Sequence, residues 1–134
     1  MKTVLLAIPE NQVSRQLISA LNDRNIPVVS YSSAHAGICL PEGPHTISMA
    51  IVDTDLPGIN GYDLVRLIRE SDSGQIPVIL LAWFNLSSLK MAHDLGCMEI
   101  LSKPVGFDEL LTVVDKYSPL NQDFQLPPIM SNPV

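Results

Sequence analysis

The stretch Ile47-Ser48-Met49-Ala50-Ile51-Val52-Asp53-Thr54-Asp55-Leu56-Pro57-Gly58-Ile59-Asn60-Gly61 decides the fold. Residues 47–52 are nearly continuous in apolar side chains. A strand reads that way when both of its faces are buried, as in a parallel sheet covered by helices. The run stops at an acid, and Pro57, Gly58 and Gly61 then impose a turn that suits a rigid loop around an anion and a metal. A carboxylate at the end of such a strand lies on the sheet rim, where it can act as a nucleophile. The plainer reading is an ordinary strand-end acid before a turn, since acids are common in loops.

Outward from this stretch, four further short apolar runs occupy residues 3–8, 26–31, 77–82 and 98–101. Helical spacing separates them. Val13, Leu17, Ile18 and Leu21 share one face, and Leu64, Leu67 and Ile68 another. Leu86, Leu89 and Ala92 suggest a third, with Asn85 placed to cap it and Gly96 after its last turn. Leu110, Leu111 and Val114 mark the final helix, whose first turn carries Asp108 and Glu109, complementing the macrodipole. A short helix is expected over 34–40, before Pro41, Gly43 and Pro44 exclude one. Strand–helix alternation with short connections predicts an α/β fold, a doubly wound five-stranded parallel sheet flanked by helices. Functional residues in such sheets gather at the carboxyl ends of the strands, beside the topological switch point.

The 134 residues allow one domain, and 46% hydrophobic against 16% charged residues excludes an intrinsically disordered chain. A net charge of −6 argues against direct nucleic-acid binding, which demands clustered Lys and Arg. Cys39 and Cys97 form no CxxC pair, and His35, His45 and His93 lack metal-ligand spacing, so all five read as structural or surface residues. No signal peptide or membrane-length run is visible, and a cytoplasmic protein is expected. Residues 118–134 hold Pro119, Pro127, Pro128 and Pro133 without periodicity. They are expected to be a linker or disordered tail after a domain spanning 1–117.

The string DTDLPGINGYDL at 53–64 resembles the signature of response-regulator receiver domains. SKPVGFDEL at 102–110 resembles their final strand, Lys-Pro and last helix, with IPVILLA at 76–82 between. The resemblance implies the flavodoxin-like (βα)5 receiver fold. It implies that Asp53 accepts a phosphoryl group from a histidine kinase or phosphotransfer protein. Lys103 would contact a phosphoryl oxygen and stabilise developing charge, followed by Pro104 through a peptide bond often cis in receivers. Mg²⁺ would be held by Glu10, Asp53 and the backbone carbonyl of Asp55. An output domain or target protein would receive the signal, and a homodimer would form through the fourth helix, fifth strand and last helix. Met91, Met98 and Ile100 are apolar residues there that would serve a contact or the core.

Several positions depart from the family pattern. Pro9 stands where one of two metal-binding acids is usual, which lowers the charge count that tunes metal affinity. Ala82 replaces the usual Ser or Thr, and Trp83 follows where a small residue is usual. Trp83 either covers the pocket, turns outward to a partner, or packs at the strand end. Ile100 replaces the usual switching aromatic. Two readings follow: a receiver phosphorylated weakly with a different switch, or a phosphorylation-independent pseudo-receiver serving as a binding or dimerisation module. A third, remote one is a haloacid-dehalogenase-like phosphohydrolase, since Asp53 and Asp55 form a DxD pair. That motif normally follows a first strand, whereas this one follows a third.

Overall fold

The computed structural model describes residues 3–31, 47–58, 60–72 and 76–117. Its strands are β1 (Thr3–Ala7), β2 (Val28–Tyr31), β3 (Ile47–Asp53), β4 (Val78–Ala82) and β5 (Glu99–Ser102). Its helices are α1 (Gln12–Asp23), α2 (Gly61–Asp72), α3 (Leu86–Asp94) and α4 (Phe107–Tyr117). The helix expected over 34–40 and the tail 118–134 lie outside the described residues, as do Cys39, His35 and His45.

All five strands pair in parallel, in the order β2-β1-β3-β4-β5. The order reverses between β1 and β3, so their carboxyl ends form the switch-point crevice. Successive side chains of a strand point to opposite faces. Val4, Leu6, Met49, Ile51, Ile79 and Leu81 therefore pack on one face, with Leu17 and Leu21 of α1 and Leu110, Val113 and Val114 of α4. Leu5, Ala7, Ala50, Val52, Val78 and Leu80 pack on the other, with Leu64, Val65 and Ile68 of α2 and Ala92 of α3. This two-sided burial explains the continuous apolar runs.

The expected cap holds at α3, where Asn85 forms a reciprocal box with Ser88, and α1 carries the same device, not anticipated, in Asn11 and Ser14. Gly96 takes a positive φ of 70° after α3, a backbone state that glycine adopts without a Cβ penalty. One apolar assignment fails. Leu86, expected on the buried face of α3, is 85% exposed at the first residue of the helix, whereas Ala92, in its second half, is buried. Met98 precedes β5 rather than opening it and is 55% exposed, while Ile100 and Met91 are half-buried. At the β5–α4 seam, Glu99 accepts from Lys116 (2.7 Å) and from the Tyr117 hydroxyl (2.5 Å), which together hold its carboxyl below the usual range. Burial pushes the Cys97 thiol up to about 11, so this thiol is suited to packing rather than reaction.

Arg69 of α2 ties the base of the sheet together. It donates to the carbonyls of Ile76 (2.8 Å), Leu95 (3.0 Å) and Gly96 (2.9 Å). Arg69→Met would strand carbonyls that a charged donor now satisfies, so a loss of about 2–4 kcal/mol is expected. Urea unfolding checks this: the midpoint should fall with an unchanged slope, and a midpoint within error of the parent would show that the α3–β5 turn holds itself.

Candidate phosphoacceptor site

Asp53 is the last residue of β3 and is only 6% exposed. Its backbone is fixed by the β4 pairing, and Thr54 N still donates to Leu81 O at 3.0 Å beyond the strand. The chain then turns back on the carboxylate: Asp55 N donates to Asp53 Oδ1 at 2.8 Å. This is an Asx-type turn, a geometry that Asp favours two residues ahead of the amide it accepts from. It brings the Asp55 side chain to the same side as Asp53.

Lys103 leaves β5 beside Ala82, whose carbonyl accepts from Lys103 N at 2.9 Å. Its ammonium lies 2.8 Å from Asp53 Oδ1 and 2.9 Å from Asp55 Oδ2, bridging the two carboxylates. Burial works against the charge on Lys103, but the bonds to Asp53 and Asp55 outweigh it, and its pKa is raised. The Lys103–Pro104 peptide is cis, as the resemblance implies. Gly61 closes the far side of the loop. Its N–H donates to Thr54 O at 3.2 Å, and Asn60 Oδ1 accepts from Tyr62 N at 2.7 Å, opening α2. A Cβ at Gly61 would lie 2.3 Å from Asp53 O.

Trp83 follows β4 directly, is 57% exposed, and sets its ring over Lys103 with the ammonium 5.4 Å from the centroid. Trp83 thus lies beside Lys103 with more than half of its surface exposed. Ala82 is buried and Ile100 packs partly against the α2–α3 side of the core. Pro9 is half-buried, and the exposed Glu10 carboxylate pairs with Arg15 at 3.5 Å.

Asp53, Asp55 and Lys103 are therefore brought together, while Glu10 is engaged with Arg15. Among the described residues no group of three His, Cys, Asp or Glu side chains is placed to hold a metal. Mg²⁺ retains several waters and takes one or two carboxylates plus phosphate oxygens. The buried Asp53 carboxylate and the oxygens of Asp55 are hard donors of that kind, and they fit a largely hydrated ion. The side-chain contact of Asp55 with Lys103 went unread in the sequence, because it joins residues 48 apart and leaves no local signal.

A family model described as the response regulator receiver domain matches residues 4–115. The two-component response regulator ORR12 of Oryza sativa subsp. japonica is 24% identical over 114 residues, 83% of this chain and 94% of the relative. ORR7 of the same plant is 30% identical over 104 residues, 75% of this chain but only 50% of the longer relative. Among solved structures, the non-phosphorylated HemR receiver domain from Leptospira biflexa superposes with a TM-score of 0.75 at 20% identity, covering 95% of this chain and 98% of that one. A response regulator receiver protein from Pseudomonas putida does so with a TM-score of 0.66 at 28% identity, covering 87% and 98%. Among the described residues, no helix is long and apolar enough to cross a membrane.

Proposed function

The chain belongs to the response-regulator receiver family of two-component systems, and on that premise we propose that Asp53 is its phosphoacceptor and Lys103 the residue that stabilises the transferring group. The observation that carries this reading is the Lys103 ammonium 2.8 Å from Asp53 Oδ1 at the carboxyl ends of β3 and β5. The donor is a phosphohistidine of a kinase or phosphotransfer protein. An Asp53 carboxylate oxygen attacks phosphorus, the P–N bond breaks, and the imidazole keeps the electron pair and takes a proton. An acyl phosphate remains on Asp53. Lys103 is already charged and preorganised where a phosphoryl oxygen arrives, so it stabilises charge without reorganising.

Glu10, Asp53 and the Asp55 backbone carbonyl are the residues that would hold Mg²⁺, Glu10 after release from Arg15. An ion held there would supply charge neutralisation for the transferring phosphoryl group. With Pro9 in place of an acid, its affinity is low, since ligand charge tunes it. The signal passes to an output domain or target protein. The face of α3, β5 and α4, with Met98 exposed, is the surface for a second copy.

Incubation with Mg²⁺ and acetyl phosphate, read by intact mass, is expected to add one phosphate, and peptide mapping is expected to place it on Asp53. Lys103→Met is expected to slow the gain about a hundredfold, as loss of a preorganised charge donor does. No gain at high donor and high Mg²⁺ would sink this reading and leave a phosphorylation-independent binding module.

A further inference from the structure

We infer that Trp83 is a positioning residue for this reaction, its indole face holding the Lys103 ammonium against Asp53 and Asp55. The inference rests on the phosphoacceptor reading of Asp53. The Lys103 ammonium lies 5.4 Å from the Trp83 centroid while touching both carboxylates. A lysine side chain has a long flexible stem, so each group that limits its rotamers raises the fraction of time its charge sits correctly. An aromatic face attracts an ammonium through the ring quadrupole and does so without competing for its hydrogens.

The backbone under the ring is pinned from both sides. Ala82 O accepts from Lys103 N at 2.9 Å, and Trp83 O accepts from Ser88 Oγ at 3.1 Å and Asn85 Nδ2 at 3.4 Å. The ring is also 57% exposed, which is not how a residue serving only the core is placed. Where Ala82 offers no hydroxyl to a phosphoryl oxygen, Lys103 carries more of the charge stabilisation, and its placement matters more. After transfer the acceptor carboxylate becomes an acyl phosphate, and Trp83 and Asp55 remain to keep Lys103 in position.

The test is a double-mutant cycle on the acetyl phosphate rate, read by intact mass. Trp83→Leu keeps apolar bulk and loses the π face, and is expected to slow the gain about two- to fivefold, the range of an exposed cation–π contact. Trp83→Phe keeps a π face and is expected to recover most of the rate. In the Lys103→Met background, Trp83→Leu is expected to change nothing further, because the two residues act as a unit. Trp83 is the only tryptophan, so its emission reports the contact directly and is expected to change on Lys103→Met. An equal slowing in both backgrounds would assign Trp83 a structural role and overturn the inference, as would a faster gain in Trp83→Leu, which marks a lid, or an emission indifferent to Lys103→Met. A parent protein that takes up no phosphate at all would instead remove the phosphoacceptor reading, and the positioning role with it.

Discussion

Asp53→Asn is expected to abolish phosphate uptake from acetyl phosphate while leaving the protein folded. The nucleophile is a carboxylate oxygen, and an amide has no comparable electron pair to offer phosphorus. The shape of the site survives, because the amide oxygen still accepts from Asp55 N and from Lys103, now 2.8 Å from Asp53 Oδ1 in each case. Lys103 also keeps Asp55 at 2.9 Å. The stability change is therefore expected to stay within about 1–2 kcal/mol, the difference between a charge-assisted and a neutral hydrogen bond. The formal charge of the Asp53–Asp55–Lys103 group moves from −1 (two carboxylates, one ammonium) to zero, so divalent-cation affinity should fall as well. Intact mass at high donor checks the first point and thermal unfolding by circular dichroism the second. A phosphate gain that persists in this variant would move the acceptor elsewhere, with Asp55, the other carboxylate on Lys103, first in line for peptide mapping.

The fold was readable because its physics leaves a one-dimensional trace. Strands buried on both faces must be nearly continuous in apolar residues, and β1, β3 and β4 are, with Thr3, Ser48 and the terminal Asp53 as their polar positions. Their neighbours at the edges, β2 and β5, are half-buried, and the expected strand starts differ from the observed ones there, at 26 rather than Val28 and at 98 rather than Glu99, as well as by one residue at β4, at 77 rather than Val78. Pro27 lies outside β2 although its carbonyl still accepts from Val4 N, so hydrophobicity and pairing end at different residues. Asn85 and Gly96 were readable because capping and positive φ each restrict residue type.

That Asp53 and Lys103 lie near each other was easier to read than the orientation of their neighbours. Asp53 and Lys103 stand 50 residues apart in sequence, and only parallel pairing of β3, β4 and β5 brings their ends together. Trp83 illustrates what a sequence withholds. Its position after β4 follows from the apolar run, but the direction of its ring depends on where the Lys103 ammonium settles between two carboxylates, a three-body outcome with no local signature. Glu10 is a similar case: a carboxylate at the right place in the chain finds Arg15 five residues on, and its share in a metal site depends on whether an ion outcompetes that exposed pair, which itself contributes little.

Gly61→Ala is expected to destabilise the protein by about 3 kcal/mol or more, at the upper end of overpacking effects. The added Cβ would stand 2.3 Å from Asp53 O, 2.7 Å from Thr54 Cα and 2.9 Å from Asp53 C. All three are backbone atoms, so no rotamer change relieves the clash. Alanine at the start of a helix gains at most about 1 kcal/mol over glycine, which is too little to offset it. Relief requires α2 to separate from the end of β3, and that displaces the very backbone that aims the Asp53 carboxylate at Lys103. Two losses should therefore travel together: a lower thermal midpoint, and slower phosphate uptake measured at a temperature where the variant is still folded. Slower uptake with an unchanged midpoint would mean that the strand end yields easily and that Gly61 aims the carboxylate without bearing on stability. An unchanged midpoint and an unchanged rate would mean that α2 and β3 approach less closely than 2.3 Å implies, and that the rigidity of the acceptor loop comes from the Asp53–Asp55 turn alone.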